Sequence, residues 1–239
     1  MQTIKNNQNS FARQAHVYQK SALIQTRIAH LLLNKLQYKY FYHVLDIGCG
    51  SGSVAIEIEK LKIKVKNFIG IDIAKEMLFY HPKQLNHIQN INLICEDFEK
   101  ISLPKSDLII AASSLQWAKN LEYILSKIAQ NCSEVAFGIY TNKSLKSVHN
   151  FLNTSSPLRS KEALKDMLGK YFRGKSYIAH FEESFQNRQD FLRHLKNSGL
   201  LGGGNLSYQE AKYFRNHIPY EKAEYEVLIF IGTPKQITS

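Results

Sequence analysis

The sequence is poor in cysteine and in long apolar runs, and each shortage excludes a class of protein. Its 239 residues include three cysteines, Cys49, Cys95 and Cys132, and no pair has the C-x-x-C spacing. An odd number of scattered cysteines argues against a disulfide framework, so we expect free thiols in a reducing cytoplasm. No apolar run approaches the ~20 residues that span a bilayer. The first residues also lack an apolar signal segment, so we expect neither a membrane protein nor an exported one.

Acidic residues are scarce relative to basic ones. The chain has 31 Lys and Arg against 20 Asp and Glu, which gives a formal charge of +11. Such an excess is typical of a protein that meets an acidic partner. More than half of it lies in residues 141–180, where only Glu162 and Asp166 oppose eight cations. These cations are Lys143, Lys146, Arg159, Lys161, Lys165, Lys170, Arg173 and Lys175.

Short apolar runs alternate with amphipathic helical patterns along most of the chain. A helix is predicted over 10–37, and strands over 42–47, 67–71, 91–95, 107–112 and 135–140, with helices at 53–61 and 119–130 among them. Helices are then predicted at 144–152, 160–170, 187–197 and 207–217, and strands at 176–181 and 225–232. This alternation indicates a parallel sheet covered on both faces, with right-handed crossovers. We expect a single domain over 1–239, with an N-terminal helical lid at 1–37 and a looser insertion and cap region at 141–220.

The most informative local motif is V-L-D-I-G-C-G-S-G at residues 44–52, where the first predicted strand ends and a helix begins. Glycines there allow a tight turn and a close approach of the backbone to a ligand, and the helix start offers free N–H groups. In open α/β sheets, ligands bind at this end of the strands. Asp72 ends the second predicted strand, twenty residues beyond Gly52. An acid at that spacing can accept hydrogen bonds from both hydroxyls of a ribose.

Two cofactor classes use such a turn. Dinucleotide enzymes favour G-x-G-x-x-G, whereas this chain has G-x-G-x-G preceded by Asp46. The Tyr-x-x-x-Lys pairs of short-chain dehydrogenases occur here without the serine that accompanies them. The motif instead resembles that of the class I S-adenosylmethionine-dependent methyltransferases. The resemblance implies an α/β fold: a doubly wound, mostly parallel, seven-stranded Rossmann-like sheet in the order 3-2-1-4-5-7-6, with residues 225–232 as its antiparallel seventh strand.

That resemblance also implies S-adenosylmethionine as the cofactor and assigns residues to it. The turn would hold the amino-acid part, Met77 would pack near the adenine, and Asp97 would accept from the adenine amino group. The residues assigned to the cofactor are Asp46, Gly48, Cys49, Gly50, Gly52, Asp72, Ile73, Met77, Asp97, Phe98 and Ser113.

Motifs that the sequence lacks exclude some chemical classes of methyl acceptor. Enzymes that methylate the amino groups of nucleic-acid bases carry D/N-P-P-Y/F after strand four, but residues 111–117 contain no proline. The Pro-Cys nucleophile of pyrimidine C5 enzymes is missing as well, and no clustered His, Asp and Asn motif suggests a metal. We therefore expect no metal, and these absences disfavour the methylation of nucleic-acid bases.

Four segments resemble a narrower family, the malonyl-[acyl-carrier-protein] O-methyltransferases of biotin synthesis. They are F-A-R-Q-A-H-V-Y at 11–18, S-S-L-Q-W-A-K-N-L at 113–121, F-L-R-H-L-K-N-S-G-L-L-G-G-G at 191–204 and Y-E-V-L-I-F-I-G-T-P-K at 225–235. The match runs in order along nearly the whole chain, and it is poorest at about 141–180.

The family resemblance implies that the acceptor is the free carboxylate of a malonyl thioester on acyl carrier protein. Carboxylates ionise near pH 4, so the nucleophile needs no strong base. It implies catalytic roles for Tyr18, which would position substrate or cofactor, and for Arg13, which would pair with a carboxylate. Gln116 and Trp117 would line the substrate pocket, and the basic residues of 141–180 would attract the acidic carrier. Methylation of a free small carboxylic acid, as in the trans-aconitate methyltransferases, or of RNA remains an alternative.

Overall fold

The computed structural model describes residues 23–201 and 207–235. Its sheet is built from β1 Tyr40–Ile47, β2 Lys64–Asp72, β3 Ile88–Cys95, β4 Ser106–Ala112, β5 Cys132–Tyr140, β6 Phe172–Ser184 and β7 Lys222–Pro234. The helices are α1 Leu23–Lys35, α2 Ser53–Lys60, α3 Lys75–Tyr80, α4 Leu121–Ala129, α5 Lys146–Phe151, α6 Lys161–Tyr171, α7 Arg188–Ser198 and α8 Tyr208–His217. A short 3₁₀ helix, Leu115–Trp117, follows β4.

The seven strands form one sheet in the order β3-β2-β1-β4-β5-β7-β6. Strands β1 to β5 are parallel to their neighbours, and β7 runs antiparallel to both β5 and β6. The predicted fold class, strand order and antiparallel seventh strand are thereby confirmed. Because β1 pairs with β2 on one side and β4 on the other, the carboxyl ends of these three strands meet at one edge.

Successive residues of a strand point to opposite faces, so each face of the sheet buries its own apolar layer. On β1, Val44 belongs to the layer formed with α1, α2 and α7, whereas Leu45 and Ile47 belong to the layer formed with α4 and α6. The strands of the centre are buried on both faces, as their nearly continuous apolar runs predict.

The interval 141–220 is part of the central architecture. It contains α5 to α8 and supplies strand β6, which pairs with β7 along 13 residue positions, from Phe172 opposite Pro234 to Ser184 opposite Lys222. Its basic residues do not share one end of the molecule. Lys143 and Lys146 follow the carboxyl end of β5, at the edge where the glycine turn lies, whereas Arg173 and Lys175 lie at the start of β6. Since β6 runs parallel to β5, these two residues lie at the opposite edge, so the basic residues of 141–180 do not all face one docking surface.

Two expected features lie partly or wholly outside the described residues. Of the predicted lid at 1–37, the structure describes the part that contains α1, and Tyr18 and Arg13 lie outside the described residues.

Among the described residues, none of the helices is both long and apolar enough to cross a membrane.

Helix α1 can approach the sheet closely because β5 carries Gly138. A Cβ at Gly138 would lie 2.3 Å from Cγ2 of Ile28, a residue that is fully buried. We expect Gly138→Ala to lower the free energy of unfolding by roughly 1–3 kcal/mol through overpacking. Gly169→Ala is the matched control: it lies in α6 with nothing within 4 Å of the added Cβ, and should raise stability by about 0.5–1 kcal/mol. Urea unfolding measures both, and equal effects would contradict this packing.

Candidate functional site

The turn after β1 is pressed against neighbouring loops. Gly48, Gly50 and Gly52 have φ values of +71°, +54° and +93°, a region that favours glycine. A Cβ on Gly48 would lie 2.3 Å from Cβ of Ser114, and one on Gly52 would lie 2.6 Å from Cδ of Pro82. The glycines at 48 and 52 are therefore required both by conformation and by space.

Asp72, the last residue of β2, holds this turn in place. Its Oδ2 accepts a hydrogen bond of 2.9 Å from the N–H of Gly50, and its Oδ1 accepts one of 2.8 Å from the N–H of Ala74. Burial raises the pKa of the Asp72 carboxyl, and the bonds from Ala74 and Gly50 oppose that rise. The two oxygens of one carboxylate thus fix both the turn after β1 and the start of the loop after β2.

Asp46 is a buried acid without hydrogen bonds from the described residues. It is 1% exposed, and neither carboxylate oxygen has a hydrogen-bond partner there. Burial, and then the charge of Asp72, raises the pKa of Asp46 well above its usual value of 3.8. A buried carboxylate that faces a cavity favours a ligand that brings a cation or several N–H donors.

The end of β4 forms the other wall. Ser113 has a φ of +82°, unusual for a residue with a side chain, and the hydroxyl of Ser114 donates to the carbonyl of Ile47. Gln116 is 8% exposed, and its amide donates to the carbonyl of Ser113 at 2.7 Å. This hydrogen bond ties the 3₁₀ helix to the end of the strand and turns the Gln116 side chain inward.

The loop after β3 closes the site on a third side. Oδ1 of Asp97 accepts from the N–H of Glu99 at 3.0 Å, which orders the turn. The Glu99 carboxylate in turn accepts from the N–H groups of Lys119 and Asn120, at 3.0 and 2.9 Å. The loops after β3 and β4 are thus joined by one side chain.

These loops surround a single cavity at the carboxyl edge of the sheet. Of the residues predicted for the cofactor and substrate, the cavity is lined by Asp46, Gly48, Cys49, Gly50, Asp72, Ile73, Met77, Asp97, Phe98, Ser113 and Trp117. Gly52 and Gln116 lie behind it and shape the turns. Gln25 of α1 and Lys119 also line the cavity, although neither is among the predicted site residues. Lys119 lies within the segment 113–121 that carries the family resemblance, but the sequence alone does not place Lys119 or Gln25 at the cavity, because the Glu99 contacts and the packing of α1 bring them there.

The two carboxylates of the cavity suit a ligand with a cationic end and vicinal hydroxyls. The unsatisfied oxygens of Asp46 suit the cation, and the Asp72 carboxylate lies where hydroxyls could replace or join its backbone donors. Within the described part of the chain, no three His, Cys, Asp or Glu side chains come together as metal ligands would.

Comparison with known proteins adds three findings on sequence. Residues 44–134 match a family model described as a methyltransferase domain. The chain is 28% identical over 236 residues to the malonyl-[acyl-carrier protein] O-methyltransferase of Calditerrivibrio nitroreducens, covering 91% of this chain and 89% of that protein. It is 26% identical over 232 residues to the enzyme of the same name from Bacillus cereus, covering 87% and 85%. The predicted resemblance is confirmed.

Solved structures share the fold. The YcgJ protein of Bacillus subtilis aligns with a TM-score of 0.63 at 14% identity, over 88% of this chain and 99% of that chain. The N-methyltransferase NodS of Bradyrhizobium japonicum, solved with S-adenosylhomocysteine, aligns with a TM-score of 0.51 at 12% identity, over 88% and 86%. At these identities the likeness concerns the fold alone.

The buried charge of Asp46 yields a test that needs no ligand. Above its raised pKa the folded protein holds an unpaired carboxylate, and this cost disappears as the pH falls toward 3.8 because the group becomes protonated. We expect Asp46→Asn to raise the free energy of unfolding by roughly 1–3 kcal/mol at pH 7, with a smaller gain at pH 5.

Asp107→Asn is the matched control for that measurement. The Asp107 carboxylate accepts from the N–H groups of Tyr42 and His43 at 2.6 and 2.9 Å, so its loss should destabilise the protein by about 1 kcal/mol. Urea unfolding at both pH values measures the two variants. A gain for Asp46→Asn that does not change with pH would rule out ionisation as its cause.

Proposed function

We propose that this chain, an S-adenosylmethionine-dependent methyltransferase of the class I fold, esterifies the free carboxylate of a malonyl group carried by acyl carrier protein in biotin synthesis. The class and the cofactor predicted from the sequence are confirmed by the methyltransferase-domain match and the sheet order. The malonyl acceptor and the carrier belong to the proposal.

The observation that carries this proposal is the extent of the similarity. The methyltransferase-domain match ends at residue 134, within β5, and so covers the strands around the cofactor cavity. The similarity to malonyl-[acyl-carrier protein] O-methyltransferases continues beyond it, over 91% of this chain. That share includes most of the chain on either side of the domain match. We accordingly treat residues 1–239 as one methyltransferase domain, in the cytoplasm, where the free thiols of Cys49, Cys95 and Cys132 are expected.

The reaction requires the protein to position the two reactants, but it does not require a catalytic base. When bound, S-adenosylmethionine supplies a methyl group on a sulfonium: the methyl–sulfur bond breaks as the bond to the carboxylate oxygen forms, and S-adenosylhomocysteine leaves. A malonyl carboxylate is already ionised at neutral pH, so no proton has to be removed. The chain must hold the two reactants in line and exclude water.

We assign the cofactor's parts to cavity residues by their chemistry. The unpaired Asp46 carboxylate would attract the ammonium group of the amino-acid part, directly or through water, and the turn at Gly48, Cys49 and Gly50 would pack against that part. The Asp72 carboxylate would accept from the ribose hydroxyls. These contacts would offset part of the free-energy cost of burying the two carboxylates.

The adenine would lie between the loops after β2 and β3. Met77 is 3% exposed and lies near the turn, since a Cβ on Gly50 would be 3.4 Å from its Cε. Met77, Ile73 and Phe98 would pack against the adenine, and the Asp97 carboxylate would accept from its amino group. Ser113 would contact the cofactor from the end of β4.

On the acceptor side, Trp117 would form an apolar wall that keeps water from the reacting carboxylate, and Gln116 would hold the strand end that carries Ser113 and Trp117. Tyr18 as a positioning hydroxyl and Arg13 as the cation for a carboxylate remain proposals from the sequence. Both lie outside the described residues.

One assay with labelled S-adenosylmethionine tests the function. We expect label to enter malonyl-acyl carrier protein and malonyl-CoA as a base-labile ester, and to enter free malonate, trans-aconitate and tRNA poorly. Transfer to a free acid in preference to the thioesters would support a small-acid enzyme instead. Transfer to tRNA, with binding that falls steeply with salt, would support an RNA enzyme.

The carrier would dock at the site edge, where part of the basic segment lies. Lys143 and Lys146 are exposed there, and Arg159 bonds the carbonyl of Ala118 at 3.4 Å, beside Trp117 and Lys119 of the cavity wall. Lys170 forms an ion pair with Glu122, and Arg173 and Lys175 lie at the far edge. We therefore propose that the carrier is attracted by Lys143, Lys146 and Arg159.

Two charge-reversal pairs separate docking from net charge. Lys143→Glu with Lys146→Glu should raise KM for malonyl-acyl carrier protein about tenfold and weaken its salt dependence, because opposite charges steer the encounter. Arg173→Glu with Lys175→Glu changes the net charge equally but at the far edge, and should change KM little. With malonyl-CoA, which lacks the carrier surface, the activity at saturation should stay near the wild-type value for both pairs. Equal KM changes for both pairs would contradict docking at the site edge.

A further inference from the structure

A second, smaller polar cavity adjoins the cofactor cavity. It lies between the start of α1, the carboxyl end of α7 and strands β5 and β7, and its polar lining consists of Gln25, Tyr140, His194, Asn197, Ser198 and Tyr225. Gln25 lines both cavities. The small cavity, named here the α7 chamber, is therefore next to the space where methyl transfer would occur.

The α7 chamber holds a buried polar group with unused hydrogen-bonding capacity. Asn197 is 5% exposed, and its Oδ1 has no partner among the described residues. The hydroxyl of Tyr225, a residue that is 3% exposed, contacts Nε2 of His194. A buried amide oxygen without a partner costs about 1–3 kcal/mol, so the chamber favours an occupant that donates a hydrogen bond.

The chamber is uncharged at neutral pH. Burial lowers the pKa of His194 to about 4 and raises that of Tyr225 well above its usual value of 10, so both side chains are neutral. An acid lies beside the chamber: Oε2 of Glu183 is 3.5 Å from Nδ1 of His194. Burial raises the pKa of Glu183, and the charge of Arg27 opposes that rise. A carboxylate in the chamber would find no cation on its polar lining residues and an acid close by.

We propose that the α7 chamber binds the first amide of the pantetheine arm on which the malonyl group is carried, an inference that rests on the proposed function. An amide is neutral, and its N–H group is the donor that the unpartnered Oδ1 of Asn197 lacks. The reacting carboxylate and this amide are at opposite ends of a short chain of single bonds. With the carboxylate in the cofactor cavity, the arm would pass Gln25 and place the amide in the chamber.

The kinetic test compares two acceptors that share the reacting carboxylate. Malonyl-pantetheine contains the amide, and the malonyl thioester of ethanethiol lacks it. Asn197→Leu, which removes the amide side chain at nearly constant volume, should raise KM for malonyl-pantetheine about tenfold and leave KM for the ethyl thioester unchanged. Asn216→Leu, at an exposed position on α8, is the control and should affect neither. The affinity for S-adenosylhomocysteine should stay at the wild-type value.

A second variant covers the case in which Asn197→Leu does not fold. Tyr225→Phe removes one hydroxyl from the chamber and keeps the ring that packs on Tyr140 and His194. It should show the same selectivity between the two acceptors. Equal KM changes for both acceptors, or no change for malonyl-pantetheine in either variant, would overturn the inference and leave the chamber as a site for buried water.

Binding of unacylated pantetheine to the S-adenosylhomocysteine complex, measured by calorimetry, separates this inference from the proposed function. If the wild type methylates neither malonyl thioester, the proposed function fails. The inference would then still be supported by pantetheine binding that weakens about tenfold in the variants, and overturned if the wild type does not bind pantetheine or if the variants bind it equally well.

Discussion

The site depends on how closely the turn after β1 approaches the end of β4. The Ser114 hydroxyl bonds the last carbonyl of β1, and the space that a Cβ on Gly48 would need is taken by Cβ of Ser114. Two parallel strands can end this close together only if the turn between strand and helix has no side chain at that point. Asp72 fixes the same turn from the other side through Gly50. The cavity is the space that remains once these two contacts are made.

Closing the turn in this way has an energetic cost that the ligand-free protein bears. The turn buries Asp46 on β1 without hydrogen bonds from the described residues, and it brings the charge of Asp72 near. The Asp72 carboxylate has two backbone donors, but an uncharged residue would cost less at position 46, so stability alone does not explain Asp46. Strain and unsatisfied charge of this kind are characteristic of sites that gain their missing partners on binding.

Much of the fold follows from sequence, because its signals are local. Each of the seven strands overlaps a predicted apolar run, and the helices α4 to α8 begin and end within two residues of prediction. The glycine turn and Asp72 were found from spacing, since a turn conformation constrains residue types directly. Helix α3 was missed, since its six residues show no clear period. Gln25, Lys119 and the α7 chamber could not be found in this way, because each depends on elements that are distant in sequence. Net charge along the sequence also could not show that Lys143 and Lys146 lie at one edge of the sheet and Arg173 and Lys175 at the other, because this depends on the direction of β6.

The two polar regions around the cofactor cavity suit different parts of one substrate. The rim is cationic, with Lys143 and Lys146 exposed and Arg159 half-buried, and charge there acts over about 8 Å through water and guides an encounter. The α7 chamber is buried and neutral, where an ion would lose its hydration but an amide would gain hydrogen bonds. An acyl carrier protein presents both features, an acidic surface and a neutral arm. A free dicarboxylic acid has only charges to offer, and its unreacted carboxylate would have to remain outside the chamber. The contrast between rim and chamber therefore favours a carrier-bound acceptor over a free acid.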